Sequence, residues 1–162
     1  MQNKFIILLT TILLTACEHK TIDQTNSTSQ KGTESMNKQV INSDKALKTF
    51  GAYSQAIKAG NTIYLSGQLG IDPQTLAMES GAEAQAKMAF KNLDDLVKVS
   101  GGNLSDVVKL NFYLVDLANM PLINSLIEQY FKAPYPARTS IGVKELPRGG
   151  LVEVDAIMVV NN

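Results

Sequence analysis

The 162-residue chain has no tryptophan and only one cysteine and one histidine. Both Cys17 and His19 lie within residues 1–20. The rest of the chain therefore holds no Ser-His-Asp or Cys-His nucleophilic pair and no His- or Cys-ligated zinc, and no metal is expected. A surplus of charge is missing too: fifteen Lys plus Arg balance fifteen Asp plus Glu. Nucleic-acid binders usually carry a basic excess that displaces counterions from phosphates, so no nucleic-acid partner is expected. Arginine is scarce, with Arg138 and Arg148 alone. Any chemistry must come from carboxylates, Arg, Lys, Tyr, hydroxyls and backbone groups. With 44% hydrophobic residues, the length suits one domain that buries a core without covalent staples.

At the amino terminus, Lys4 precedes an apolar run over residues 5–16 interrupted only by Thr. As a helix this run is ~18 Å long, too short for a hydrocarbon core of ~30 Å. A positive start, a short apolar run and small residues at its end read as a secretory signal over residues 1–16. Leu14-Thr15-Ala16-Cys17 resembles the lipobox of bacterial lipoproteins. That resemblance implies diacylglyceryl attachment to Cys17, cleavage before it, and a membrane partner reached through the lipid. Glu18 after the Cys, by similarity to the sorting of such lipoproteins, favours the periplasmic side of an outer membrane in a bacterial envelope. Residues 17–37 are mostly Thr, Ser, Gln, Asn, Lys and Gly, too polar to offset the ordering of their backbone. They are expected to be a flexible tether with a reach of ~25 Å.

The domain is expected over residues 38–160. Short strands are expected at 38–42 and 53–58, followed by a Gly60-Asn61 turn, a strand at 62–66 and a loop over 67–77. Ala82, Ala86, Ala89, Phe90, Leu93, Leu96 and Val97 form one stripe, hence an amphipathic helix stopped by Gly101-Gly102. Residues 106–115 alternate, with Val108, Leu110, Phe112 and Leu114 on one face and Lys109, Asn111 and Tyr113 on the other. A second helix is expected over 119–131, with Asn119 as its cap and Pro121 in its first turn. Strands at 137–143 and 151–159 close the order β-β-β-α-β-α-β-β. The fold class is α/β (α+β): a mixed sheet with two helices on one face. The bare face hints at an oligomer.

Three clusters are candidates for chemistry. Arg138, opening a strand after Pro136, suits a bidentate grip on a carboxylate, although a lone Arg is more often solvated or structural. Glu153 and Asp155, two residues apart on a strand, share one face; such alternation also marks solvated strands. Gly67, between Ser66 and Gln68, lets backbone approach a ligand, or simply makes a bulge. Tyr53 by default is a core aromatic. Arg148, in the Pro147/Gly149-Gly150 loop, is expected to be mobile and solvated.

Together, Gly51-Ala52-Tyr53-Ser54-Gln55, Ser66-Gly67-Gln68, Val108-Lys109 with Asp116-Leu117, Pro136-Ala137-Arg138, Leu146-Pro147 and Val152-Glu153-Val154-Asp155-Ala156 resemble the Rid family in order and spacing. These are reactive intermediate deaminases, and the similarity to the RidA subgroup spans residues 36–160. It implies a chorismate-mutase-like subunit, a homotrimer with a central barrel, and sites in clefts between subunits. The implied activity is hydrolysis of 2-imino acids to 2-keto acids and ammonia, without cofactor or metal. By position in the family pattern, Arg138 binds the substrate carboxylate and Glu153 orients the attacking water. Tyr53 lines the pocket, Gly67 meets the substrate with its backbone, and Asn124 lies beside the site. Ser140 stands in the pocket wall where many relatives have Cys, and Asp155 replaces a frequent Glu. Two other readings of the same fold are a non-catalytic binder of small carboxylates and a trimeric scaffold on the envelope.

Overall fold

A computed structural model describes residues 37–161. The leader over 1–16, Cys17 and, apart from Asn37, the tether over 17–37 lie outside the described residues. Within them the chain forms six strands and two α-helices in the expected order: β1 (Lys38–Ile41), β2 (Ala56–Ala59), β3 (Thr62–Leu69), α1 (Gly81–Val99), β4 (Val107–Leu114), α2 (Met120–Tyr130), β5 (Ala137–Gly142) and β6 (Val152–Val159). The sheet order is β1-β2-β3-β6-β4-β5. The β4/β5 pair is parallel and all other pairs are antiparallel. A parallel pair needs a crossover, and α2 supplies it.

The core lies between one sheet face and the helices. Ala86, Ala89, Phe90, Leu93, Leu96 and Val97 of α1 join Ile123, Leu126 and Ile127 of α2 over Ile63, Leu65, Leu110, Phe112, Val154 and Met158. Phe90 anchors this layer, 5.5 Å from the Phe112 ring and 5.2 Å from that of Tyr130. The other face carries the alternate residues, among them Tyr64, Lys109, Asn111, Tyr113, Thr139 and Ile141. Tyr64 and Ile141 are 50% and 45% exposed, so this mixed face is uncovered by any described element.

Four local expectations differ from what forms. β2 starts at Ala56 and not at Tyr53, because Gln55 stitches the preceding loop instead of pairing. Its amide accepts from Ser43 N at 2.6 Å and donates to Ser43 O and Leu47 O. β3 does not end at Ser66; it continues through an irregularity at Ser66-Gly67 and pairs again as Gln68↔Val154 and Leu69↔Glu153. A register shift at the start of β4 turns Val107 into the core and leaves Val108 47% exposed. Asn119 does not cap α2 with its side chain. A 3₁₀ turn at Leu117–Asn119 precedes the helix, and the Asp116 carboxylate caps that turn by accepting from Ala118 N at 2.8 Å.

α1 ends where its glycines imply. Gly101, at φ 84°, and Gly102 donate to Lys98 O and Val97 O, the two-bond Schellman closure that needs a left-handed residue. The same helix carries buried amides that fix the loops beneath it. Asn92 donates to Leu69 O and Ile71 O at 2.9 and 2.8 Å. Gln85 donates to Glu79 O and accepts from Leu151 N. The end of β3 and the start of β6 are thereby held to one helix.

Candidate active site

β6 alternates, and its odd positions point to the open face: Val152, Val154, Ala156 and Met158 are buried while Glu153, Asp155 and Ile157 are half-buried. Glu153 lies across Gly67 of β3, where a Cβ would collide with its Oε1. A side chain at 67 would displace the carboxylate from this place. Ser66 anchors the irregularity, donating from Oγ to Ser54 O at 2.6 Å and from N to Gln55 O at 3.0 Å. Glu153, Gly67, Ser66, Tyr53, Phe50 and Arg148 line a cavity of about 480 Å³. Tyr53 is not a core aromatic: it is 50% exposed, and its hydroxyl accepts from Phe50 N at 3.1 Å.

Burial pushes the Glu153 carboxyl above the ordinary Glu range, and the nearby Asp155 charge adds to the effect. Asp155 is committed elsewhere, accepting from Asn111 Nδ2 at 2.7 Å and from the Tyr113 hydroxyl at 2.8 Å. The bond to Asp155, then burial and the neighbouring negative charges, hold the Tyr113 phenol up at about 12. Tyr113 stays protonated as a donor, and Glu153 is left as the carboxylate with unfilled acceptor capacity.

Arg138 and Asn124 belong to a different cavity, of about 320 Å³, shared with Leu110, Ile127, Tyr135 and Pro136. Pro136 ends the loop and Arg138 is already in ladder, paired with Leu110 of β4. Its Nη1 donates to Asn124 Oδ1 of α2 at 2.6 Å, so the fork is aimed by a helix while its other donors stay available. Ser140, two residues on, has the same facing as Arg138 and belongs to neither cavity lining; its Oγ is enclosed without a hydrogen-bond partner. Leu110 faces the core and Tyr113 the open side, so their partners Arg138 and Glu153 project from opposite faces of one sheet.

The sequence thus names both groups, but one chain does not bring them together. Tyr53, Gly67 and Glu153 form one set, Asn124 and Arg138 the other. The Asn111–Asp155–Tyr113 network escaped sequence reasoning, although the alternation of β4 had already put Asn111 and Tyr113 on one face. Arg148 is exposed, as its loop position implies, yet it has partners that the sequence did not suggest: its guanidinium carbon lies over the Phe50 ring at 4.3 Å and it donates to Leu76 O. Among the described residues no group of three or more His, Cys, Asp or Glu is arranged to hold a metal ion.

Residues 43–160 match the family described as Endoribonuclease L-PSP. A mite protein from Dermatophagoides farinae, 2-iminobutanoate/2-iminopropanoate deaminase, is 40% identical over 124 residues, covering 76% of this chain and 97% of that one. The human protein of the same name is 38% identical over 126 residues, covering 77% and 92%. The crystal structure of RidA from the Antarctic bacterium Psychrobacter sp. PAMC 21119 superposes with a TM-score of 0.73 at 44% identity, covering 75% of this chain and 99% of that one.

The raised Glu153 affinity for its proton sets a pH dependence. The folded chain binds this proton more tightly than the unfolded chain, so the contribution favours folding in acid and is lost as pH rises through the folded value. At neutral pH the ionised carboxylate costs stability. Glu153→Gln is expected to melt above wild type at pH 7, with the gap closing below about pH 4. Calorimetry across that range checks it; a variant that melts at or below wild type at pH 7 contradicts the burial assigned to Glu153.

Proposed function

The chain belongs to the endoribonuclease L-PSP family, which includes the reactive intermediate deaminases, and we propose that it hydrolyses 2-imino acids of the 2-iminobutanoate and 2-iminopropanoate type to 2-keto acids and ammonia. It is a hydrolase acting on a carbon–nitrogen bond. The observation that carries the reading is the pair of furnished half-sites: an aimed guanidinium in one cavity and a proton-hungry carboxylate over a glycine in the other.

Because the halves face opposite ways, the working site takes Arg138 from one subunit and Glu153 from another. The bare sheet face supports a homotrimer in which copies cover one another and close these clefts. Arg138, with Asn124 holding one of its donors, binds the substrate carboxylate and places the imine carbon. Tyr53 and the Gly67 backbone form the opposing wall. A water on Glu153 attacks the imine carbon while the carboxylate takes one of its protons. The C=N double bond becomes a C–N single bond in a tetrahedral aminoalcohol. Glu153 returns the proton to nitrogen, the hydroxyl proton passes to the same nitrogen, and the C–N bond breaks to release ammonia as the C=O bond forms. One water is consumed and one ammonia released, with no change of oxidation state. Burial makes Glu153 a stronger base for this step than a solvated carboxylate.

The lipobox-like run ending at Cys17 supports a place on the bacterial envelope, with the domain tethered by a lipid on Cys17 and facing the periplasm. The sequence of the leader is the support for this part of the reading.

Two outcomes are expected. Arg138→Ala should lower kcat/KM for 2-iminobutanoate by about ten- to hundred-fold or more, the worth of a charged hydrogen bond, with Arg138→Lys between it and wild type. Glu153→Gln should act mainly on kcat, at the low end of the ~10²–10⁴ typical of a general base. Arg138 is exposed, so its variants should melt near wild type; unfolding on Arg138→Ala, or a wild-type rate, removes it from the site. For localisation, wild type should incorporate a fatty-acid label and Cys17→Ala should not. Absence of label on wild type, with the protein in the soluble fraction, removes the anchor.

A further inference from the structure

Arg148 sits where a side chain is costly. Its backbone is at φ 57°, ψ 23°, a left-handed conformation that glycine adopts freely, and the following Gly149 is at φ 73°. Its Nη2 donates to Leu76 O at 3.3 Å, and Leu76 is the other non-glycine residue with positive φ among those described. The guanidinium carbon lies over the Phe50 ring, 4.3 Å from its centroid. Phe50 N in turn donates to the Tyr53 hydroxyl. Arg148, Phe50 and Tyr53 thus make one wall of the Glu153 cavity.

The chemistry of that wall is specific. The guanidinium sits over Phe50 and a carbonyl takes one N–H, which leaves its remaining donors unfilled among the described residues. Among the described residues no carboxylate pairs with Arg148, and Glu153 in the same cavity is not bonded to it. In-plane N–H groups of a fixed guanidinium match the two oxygens of a carboxylate. The cavity, about 480 Å³, has more room than a four-carbon imino acid fills. With the reacting carbon at Glu153 and the first carboxylate on Arg138 of a second copy, the Arg148 end receives the substrate side chain. That placement rests on the deaminase reading.

We propose that Arg148 determines specificity at the side-chain end of this cavity and selects dicarboxylic 2-imino acids, whose second carboxylate it binds. A neutral side chain makes no use of the open donors, whereas a side-chain carboxylate pairs with them and offsets its repulsion from Glu153.

The test is calorimetric titration of the full chain with 2-oxoglutarate and with 2-oxobutanoate, the stable keto counterparts of a dicarboxylic and a monocarboxylic substrate. Wild type should bind 2-oxoglutarate about ten-fold more tightly. Arg148→Gln should erase most of that ratio, and Arg148→Lys, which keeps the charge without the planar fork, should restore part of it. Equal affinity of wild type for the two acids overturns the proposal, as does a ratio unchanged in a folded Arg148→Gln. Turnover of 2-iminobutanoate is measured alongside. Loss of the ratio's dependence on Arg148 with turnover intact sinks this proposal alone; a preserved dependence with no turnover upholds it and sinks the deaminase reading.

Discussion

Side chains on neighbouring strands of a sheet alternate together, and that constraint separates Arg138 from Glu153. β4 lies between their strands, pairing Leu110 with Arg138 on one side and Tyr113 with Glu153 on the other. Three residues apart on β4, the two partners face opposite ways, so the guanidinium and the carboxylate do too. No side-chain rotation carries either group through the sheet. On the proposed mechanism, an imino acid that needs both sits between copies of the chain. The open face, with Tyr64 and Ile141 unprotected beside half-buried polar groups, is what such a second copy would cover.

Each half is held by parts that do no chemistry. Asn92 and Gln85, buried on α1, tie down the carbonyls after β3 and the amide before β6, which fixes the two strands where Glu153 crosses Gly67. Asp155 accepts from Asn111 and Tyr113, and its charge beside Glu153 adds to the burial that raises the Glu153 hold on a proton. On the other half, Asn124 reaches from α2 to orient Arg138. Placement of reacting groups by rigid elements suits a hydrolysis that proceeds slowly in water unaided, since orientation and one base are most of what it needs.

Periodicity made the elements legible: the α1 stripe and the β4 and β6 alternations depend on burial of a single face, which sequence reports directly. Where neighbours decide, it does not. Val107 and not Val108 is buried because β4 shifts register against β6, and β3 passes Gly67 because Gln68 and Leu69 find partners in β6. Tyr53 looked like a core aromatic because its loop is shaped by Gln55, whose bonds span distant residues. The site residues were legible only through the ordered motifs of the family pattern. Composition alone could exclude His and Cys chemistry but could not distinguish Arg138 from Arg148. The stacking of Arg148 on Phe50 joins residues nearly a hundred positions apart, a contact no local pattern encodes.

Active-site complementation tests the central claim most directly. Arg138→Ala chains retain Glu153, and Glu153→Gln chains retain Arg138. Co-expressed with different tags and purified as mixed trimers, they rebuild about one site in three, each from one residue of either parent. Deamination of 2-iminobutanoate should accordingly return in the mixed species to a large fraction of that value, while each variant alone stays near background. Mixed assemblies no more active than the two variants measured separately would contradict a site shared between copies.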